Sequence, residues 1–383
     1  MSYVHIRDAS EAEGLRQELS HARRFALDCE AAGFHRYSDR LCLLQLTTET
    51  ATYIIDPLSF DPTDLLRGPL EDPGVAIVMH GADYDLRLLD RDLGIRLNGL
   101  FDTQVAAALL GESALGLQAL LESRLGVSLS KKYQRADWAE RPLTDGMLDY
   151  AADDTRYLMK LADLLQADLE AAGRQAWAVD ECRALEENAL SRPADEGEPE
   201  DPVTRVKGAR DLTPREVTAL REALDWRDQL ARAKDRAPFR VVGDQPLIEA
   251  VLTRPLDERE LTAIKGFPAR LAKSDGLDLL TRFDRVAQLP DDALTPYPRN
   301  HRRGPGRPPP EVEELAEKLK TARNRRAEEL GLDRGTLLAN AVVTAVALGA
   351  PSDLDALARV EGIRSWQVEA VGPALIEVLN RKR

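Results

Sequence analysis

The chain has 383 residues, a formal net charge of −14 and only 5% aromatic residues. This length suits two or three domains with sizeable cores, and the abundant helix formers predict a helix-rich α+β protein. No run of about eighteen apolar residues occurs, which excludes a membrane-spanning helix of ordinary composition. The first residues lack the pattern of a targeting leader, and the three cysteines lack metal-type spacing. We therefore expect a soluble cytoplasmic protein without disulfides.

The first predicted elements are strands. Residues 24–31 (RFALDCEA) alternate between two faces, one of which carries Asp28 and Glu30. Further strands are predicted at the apolar runs LCLLQLTTE, ATYIIDP and VAIVMHG, and a helix opens at Asp83. Strands in sequence, followed by strands alternating with helices, predict a mixed central sheet flanked by helices.

Charge and proline content divide the rest of the chain. Residues 1–200 carry a formal charge of −17 and residues 201–383 carry +3. We predict an α+β domain at residues 1–190, followed by an acidic linker at 191–208 and a first helical module at 209–290. A Pro/Arg-rich linker at 291–310 then leads to a second helical module at 311–383. The modules resemble weak repeats, each with a basic helix followed by a glycine turn at Gly266 or Gly362.

The segment from Asp145 to Leu165 is predicted to form one amphipathic helix. Its apolar residues repeat at helical spacing and define a buried seam. Asp154 falls in that seam, and Tyr150 precedes it by four residues, so both side chains should share a face. A buried carboxylate is costly unless it is paired, so Asp154 calls for partners elsewhere in the chain.

Three upstream acids are the candidate partners. Asp28 and Glu30 aim at one point from a strand, although a solvated strand face would give the same alternation. Asp85 falls in the first turn of its predicted helix, where an acid is also favoured for structural reasons. If all four carboxylates converge, they repel one another unless cations bind among them. Hard divalent ions such as Mg²⁺ suit such oxygen ligands, and a pair of them cleaves phosphodiesters.

These motifs resemble those of a known nuclease family. LDCE, HGADYDLRLL and YAADD are similar to the three exonuclease motifs of the DEDD superfamily. The Tyr-x-x-x-Asp spacing from Tyr150 to Asp154 matches its DEDDy branch. The stretch SKKYQRADWAERPL resembles the ribonuclease D version, and the helical modules resemble its C-terminal HRDC domains.

The resemblance implies a fold and a set of roles. It implies an RNase H-like mixed-sheet exonuclease domain followed by two all-α HRDC-like domains. Asp28 is expected to bridge two Mg²⁺ or Mn²⁺ ions, with Glu30 and Asp154 completing one site and Asp85 holding the second. Tyr150 is expected to orient the attacking water.

Several basic or polar residues are candidates for contacts with nucleic acid. Lys131, Lys132, Gln134 and Arg135 lie in a loop ahead of the Asp145 helix, although a solvated loop would look the same. Arg227 and Arg323, from the two modules, could each contact a phosphate, whereas charge on a helix face often serves only solvation.

The sequence therefore predicts a metal-dependent 3′-5′ exoribonuclease that acts as a monomer on RNA 3′ ends, with transfer RNA precursors as the implied substrate. A DNA 3′-5′ exonuclease remains an alternative, because recognition of the 2′-hydroxyl depends on pocket geometry. A non-catalytic RNA-binding scaffold is the other alternative, and it predicts the loss of at least one acid.

Overall fold

The computed structural model describes residues 3–191, 201–298 and 308–381. Residues 3–191 contain a six-stranded mixed sheet. Its strands are β1 (Tyr3–Ile6), β2 (Arg24–Ala31), β3 (Leu41–Thr47), β4 (Thr52–Ile55), β5 (Ala76–Met79) and β6 (Leu100–Asp102). They lie in the order β1-β4-β3-β2-β5-β6, which confirms the predicted mixed sheet.

Strand β2 lies inside the sheet, antiparallel to β3 and parallel to β5. Phe25 and Leu27 are fully buried in the main core on one face. Asp28 and Glu30 lie on the opposite face, as the two-residue period requires. The sequence did not reveal β1 and β6, because strands of four and three residues are too short to show a period.

Eight helices flank this sheet within residues 3–191. They are α1 (Glu13–Leu19), α2 (Thr63–Glu71), α3 (Asp83–Leu93), α4 (Thr103–Leu109), α5 (Leu117–Leu125), α6 (Asp145–Arg156), α7 (Leu158–Ala171) and α8 (Gln175–Ser191). Helix α3 begins at the predicted Asp83. Helix α6 packs across β2, β3 and β4, and this packing brings its residues over the face that carries Asp28.

The predicted single helix from Asp145 to Leu165 is wrong in one respect. The chain leaves helical geometry at Tyr157, where φ is −107° and ψ is −4°, so α6 and α7 are separate helices. The predicted apolar seam is nevertheless buried on both sides of this break: Ala151 in α6 and Leu161 in α7 are completely buried.

The two modules repeat one arrangement of five helices, in which a long helix is followed by a short one, a ten-residue one, a short one and a second long one. The first module contains α9 (Pro214–Ala233), α10 (Pro238–Val241), α11 (Asp244–Thr253), α12 (Glu258–Ala263) and α13 (Ala269–Ala287). The second contains α14 (Pro310–Leu330), α15 (Arg334–Leu337), α16 (Asn340–Gly349), α17 (Leu354–Leu357) and α18 (Ser365–Asn380).

The predicted glycine turns occupy equivalent places before the last helix of each module. Gly266 has a φ of +85° and Gly362 a φ of +83°, which is the left-handed region that favours glycine.

The stretches assigned to linkers lie partly outside the described residues, at 192–200 and 299–307. Of their described parts, residues 201–208 and 291–298 belong to the first module, and Pro310 begins α14 of the second. Val203 and Val206 are buried in its core, and Tyr297 packs against it. Short 3₁₀ turns at Pro202–Arg205, Ala209–Asp211 and Asp291–Ala293 accompany these contacts.

None of the helices in the described parts of the chain combines the length and the apolar character that a membrane crossing requires.

Candidate active site

Three of the predicted acids meet where α6 packs over β2. Asp28 and Glu30 come from β2, and Asp154 comes from α6, which crosses the sheet above them. One carboxylate oxygen from each lies within 4.8 Å of the others. The prediction that residues more than 120 positions apart converge is therefore confirmed for these three side chains.

Burial and mutual repulsion raise the pKa values of these acids. Burial raises the pKa of Asp28 to about 6. Burial, followed by the charge of Asp28, raises the pKa of Asp154 to about 8. The same two causes hold the pKa of Glu30 well above its ordinary value. No basic side chain from the described residues contributes to any of these three shifts, so the cluster has no cation of its own among them.

Asp85 stands beside this cluster, in the first turn of α3. Its side chain is buried, and burial, the charge of Asp28 and the charge of Asp102 raise its pKa well above the ordinary value. Because the charge of Asp28 raises the pKa of Asp85, the two carboxylates interact electrostatically. Asp85 is outside the set of three acids that lie within ligand distance of one another.

Asp102 is a buried residue that the sequence reasoning missed. It caps α4 by accepting hydrogen bonds from the backbone N–H groups of Gln104 and Val105. Its carboxylate also accepts hydrogen bonds from the backbone N–H groups of Gly81, at 3.0 Å, and Ala82, at 2.8 Å. These two hydrogen bonds fix the turn that leads into α3. Asp102 therefore positions the helix that carries Asp85. An Asp directly before a predicted helix was the signal that could have revealed it.

Two neighbouring residues show how this turn is built. The Thr103 hydroxyl donates to the Met79 carbonyl at 3.0 Å. His80 lies 2.9 Å from that hydroxyl through Nδ1. This contact links the end of β5 to the start of α4.

Tyr150 is held next to Asp154. Its hydroxyl donates a hydrogen bond to the Asp154 carboxylate, and its ring packs against Trp138 and Tyr133 with centroid distances of 6.0 and 6.3 Å. Burial and the charges of Asp154 and Glu30 raise the pKa of Tyr150 above its ordinary value. The phenol is consequently protonated at neutral pH and can act as a hydrogen-bond donor.

The acids open into a cleft of about 620 Å³. Asp28, Glu30, Tyr150 and Asp154 line one part of it, and the loop residues Lys131 and Gln134 line another. Two of the predicted loop residues, Lys131 and Gln134, therefore line the same cleft as the predicted acids.

The loop of residues 126–144 is anchored by a partly buried ion pair between Arg141 and Asp56. Arg141 donates to both carboxylate oxygens of Asp56, at 2.7 and 2.8 Å, and to the Cys42 carbonyl at 2.9 Å. Although burial alone would raise the pKa of Asp56, its hydrogen bonds with Arg141 bring that pKa below its usual range. The two other predicted loop residues lie over aromatic rings: Lys132 over Tyr133 at 4.8 Å and Arg135 over Phe34 at 5.7 Å.

The structure places Arg227 and Arg323 inside the modules instead of on a binding surface. Arg227 pairs with Asp244 at 2.6 Å and is mostly buried. Arg323 is only 2% exposed and donates to the Arg334 carbonyl and to the Asn340 side chain, each at 2.9 Å. These positions argue against the predicted phosphate contacts, because both guanidinium groups already have internal acceptors.

The donor set of the site fits a hard divalent cation. Its clustered ligand atoms are all carboxylate oxygens, and no basic side chain within residues 3–191, 201–298 and 308–381 neutralises them. Mg²⁺ and Mn²⁺ prefer such oxygen ligands, whereas zinc sites usually include His or Cys. Asp28, Glu30 and Asp154 are thus the residues that could hold an ion.

Comparison with known proteins agrees with this arrangement. Residues 3–170 match a 3′-5′ exonuclease family, and residues 217–281 and 312–379 match the HRDC domain. The fold and the acid cluster thus define a 3′-5′ exonuclease that carries two HRDC domains.

Similarity to individual proteins identifies the family within this class. The chain is 31% identical to ribonuclease D of Pseudomonas paraeruginosa, over 97% of this chain and 96% of the relative. The crystal structure of Escherichia coli RNase D is similar over 100% of this chain and 99% of that one, with 26% identity and a TM-score of 0.66. A protein from Bifidobacterium adolescentis shares the fold over 99% of this chain and 97% of its own, with 24% identity and a TM-score of 0.80. The chain belongs to the ribonuclease D family.

Proposed function

We propose that this protein is a metal-dependent exoribonuclease that releases nucleoside monophosphates from RNA 3′ ends. The observation that carries the proposal is the cluster of Asp28, Glu30 and Asp154, within 4.8 Å of one another and without a basic partner among the described residues. The E. coli relative, described as an exoribonuclease involved in structured RNA processing, supports RNA as the substrate.

The acids are proposed as the metal ligands. Asp28, Glu30 and Asp154 would hold one divalent ion, and Asp28 with Asp85 would hold a second. Bound ions of this kind lower the pKa of a coordinated water and stabilise the charge that develops on the leaving oxygen.

The side chains around the acids would then orient the substrate. Tyr150, protonated and fixed by Asp154, would hold the attacking water through its hydroxyl. Lys131 and Gln134, at the other side of the cleft, would hold backbone phosphates. We place the protein in the cytoplasm as a monomer, with transfer RNA precursors as substrates and either Mg²⁺ or Mn²⁺ as the ion. Its three cysteines are buried free thiols, which agrees with a reducing compartment.

The decisive experiment uses an RNA oligonucleotide labelled at its 5′ end, with and without divalent metal, followed by sizing of the products. Wild-type protein should shorten the RNA one nucleotide at a time and stop when a chelator is added. Asp154→Asn should fold normally and lose activity by about 10³-fold or more, since one ligand charge is gone. Asp292→Asn, an exposed acid on the first module, is the matched control and should keep full activity. Undiminished activity of Asp154→Asn would refute the assignment.

The same assay on a DNA strand of identical sequence tests the substrate class. Faster removal of deoxynucleotides than of ribonucleotides would overturn RNA as the substrate while leaving the acid cluster as the active site.

A further inference from the structure

Two aromatic rings from different domains meet at the surface near the acids. Phe34 follows β2 in the nuclease domain, and Phe239 lies on α10 of the first module. Their ring centroids are 5.6 Å apart, yet the two residues remain 42% and 52% exposed. The exposed parts of this pair, the Phe34–Phe239 platform, form an aromatic surface at the junction of the two domains.

Guanidinium groups surround the platform. Arg240 lies 4.6 Å from the Phe34 ring and 5.9 Å from the Phe239 ring, and Arg135 lies 5.7 Å from the Phe34 ring. Exposed aromatic faces beside fixed arginines are the combination with which proteins bind single-stranded nucleic acid, because bases stack on the rings while the cations attract phosphates.

The platform is continuous with the acid cleft on one side. A hollow of about 430 Å³ is lined by Glu30, Phe34, Gln134 and Arg135. Glu30 and Gln134 also line the cleft that contains Asp154. Asp39, which lines the same hollow, is already engaged by the Tyr84 hydroxyl at 2.5 Å. The acid cleft and the hollow beside Phe34 therefore adjoin at Glu30 and Gln134.

A basic hollow adjoins the platform through Arg240. It has a volume of about 730 Å³ and is lined by Lys234, Arg236, Arg240 and Arg270, with Asp275 as its acidic residue. Asp275 is paired with Lys234 at 2.7 Å. Arg236 and Arg270 are exposed and form no side-chain hydrogen bond or ion pair with any described residue. Their charges are available to phosphates, in contrast to that of Arg227.

The two domains are held together here by contacts that do not need the rings. The backbone N–H of Ala237 donates to the His35 carbonyl at 2.9 Å, and the Tyr37 hydroxyl contacts the Asp228 carboxylate at 3.0 Å. These polar contacts therefore join the two domains beside the platform without covering the exposed part of the Phe239 ring.

We propose that the Phe34–Phe239 platform, with Arg236 and Arg270 beyond it, binds the upstream nucleotides of a single-stranded RNA whose 3′ end lies at the acids. One or two bases would stack on the rings, and the following phosphates would meet the two arginines. This inference rests on the proposed function, because it takes the acid cleft as the place where the 3′ end binds.

The test measures binding without hydrolysis. A twelve-nucleotide RNA labelled at its 5′ end is titrated with the full chain in the presence of a chelator, and fluorescence anisotropy is recorded. Phe239→Ala and Phe239→Leu should each weaken binding about tenfold, the value expected for one lost stacking contact. Phe239→Trp should bind at least as tightly as wild type. Leu277→Ala, which removes a side chain 78% exposed elsewhere on the first module, should change nothing. Since Phe239→Leu keeps an apolar side chain at the junction, its loss of affinity cannot be ascribed to separation of the domains.

A fluorescent adenine analogue locates the contact along the strand. When the analogue occupies upstream positions, its emission should be quenched on binding to wild type and less so on binding to Phe239→Leu. An analogue at the 3′ end should respond equally to both proteins. Equal quenching by the two proteins at every upstream position would overturn the proposal.

The salt dependence of binding tests the arginines. Each phosphate contact to a single strand contributes about 0.7 to the slope of log affinity against log salt concentration, so Arg236→Gln with Arg270→Gln should reduce that slope by about 1.4. An unchanged slope would contradict their role.

These measurements separate the two proposals. If wild-type protein trims RNA while the platform and arginine variants bind like wild type, the inference fails and the proposed function stands. If wild type binds RNA through the platform but releases no nucleotide with Mg²⁺, the inference stands and the proposed function fails.

Discussion

The two HRDC modules have the same helices in the same order, but they meet the nuclease domain in different ways. The second module shares one apolar core with α4, α5, α7 and α8, and its Trp366 stacks on Trp177 of α8 at 4.7 Å. The first module has a core of its own, against which Tyr37 of the nuclease domain packs. The remaining junction of the first module consists of hydrogen bonds, ion pairs and exposed rings beside the cleft.

This difference teaches that a repeated domain need not have a repeated role. Burial of apolar surface is the main source of folding free energy, so a module that shares the core is part of the stability of the nuclease domain. A module attached through polar contacts contributes less stability, and its exposed cations and rings remain available for a ligand. The comparison makes four predictions, given from the largest expected effect to the smallest.

Trp366→Ala should destabilise the protein by about 3–5 kcal/mol. The change removes the stack on Trp177 and the hydrogen bond from Nε1 to the Glu181 carboxylate, which is 2.7 Å long. Because the core is shared, nuclease domain and second module should unfold in one transition in urea. Leu348→Ala, at a side chain 49% exposed on α16, is the control and should cost under about 1 kcal/mol. Two separate transitions in the wild type would break the comparison.

Arg323→Met should cost about 3 kcal/mol of unfolding free energy, because it leaves buried carbonyl acceptors without a donor. Affinity for RNA, measured where the variant is fully folded, should be unchanged, since Arg323 is only 2% exposed. A fall in the salt slope of RNA binding would restore Arg323 as a phosphate contact. The same measurement on Arg236→Gln should show the opposite pattern, with unchanged stability and a smaller slope.

Metal-free protein should lose stability progressively as the pH rises from about 4 to about 8. The pKa values of Asp28 and Asp154 are raised to about 6 and about 8 in the folded chain, whereas an unfolded Asp has a pKa of about 3.9. The folded state therefore binds more protons than the unfolded state in this window, and stability falls as those protons leave.

The check is urea unfolding at several pH values with a chelator and then with Mg²⁺. Added Mg²⁺ should restore stability above pH 7, and Asp154→Asn should flatten the decline. Asp292→Asn should reproduce the wild-type curve. A chelated protein whose stability rises over this range would contradict the electrostatic description of the cluster.

Tyr37→Phe should have the smallest effect, about 1 kcal/mol. It removes the contacts of the hydroxyl with Asp228 and Arg232, both at 3.0 Å, and leaves the ring in place. Removal of nucleotides from very short RNA, which does not extend to the platform, should proceed as in wild type. A stability loss as large as that of Trp366→Ala would show that the two junctions are energetically equivalent.

Much of the nuclease domain could be predicted because its signals are local. The alternation around Asp28 fixed the face of β2, and the interrupted seam at Asp154 marked a carboxylate that needed partners. Asp102 was harder to interpret, because its role is to join two turns that are distant along the chain. Arg227 and Arg323 were misjudged for a related reason: a guanidinium on a basic helix has the same sequence signature whether it faces solvent or buried carbonyls.

The sequence by itself determined the strand and helix periods, the acids, Tyr150 and the repeated modules, because each of these is set by spacing within one element. The tertiary structure alone decided which arginines are free, which module joins the nuclease core, and that Phe34 and Phe239 share a surface. These features depend on contacts between elements far apart in the chain, and such contacts leave no period in the sequence.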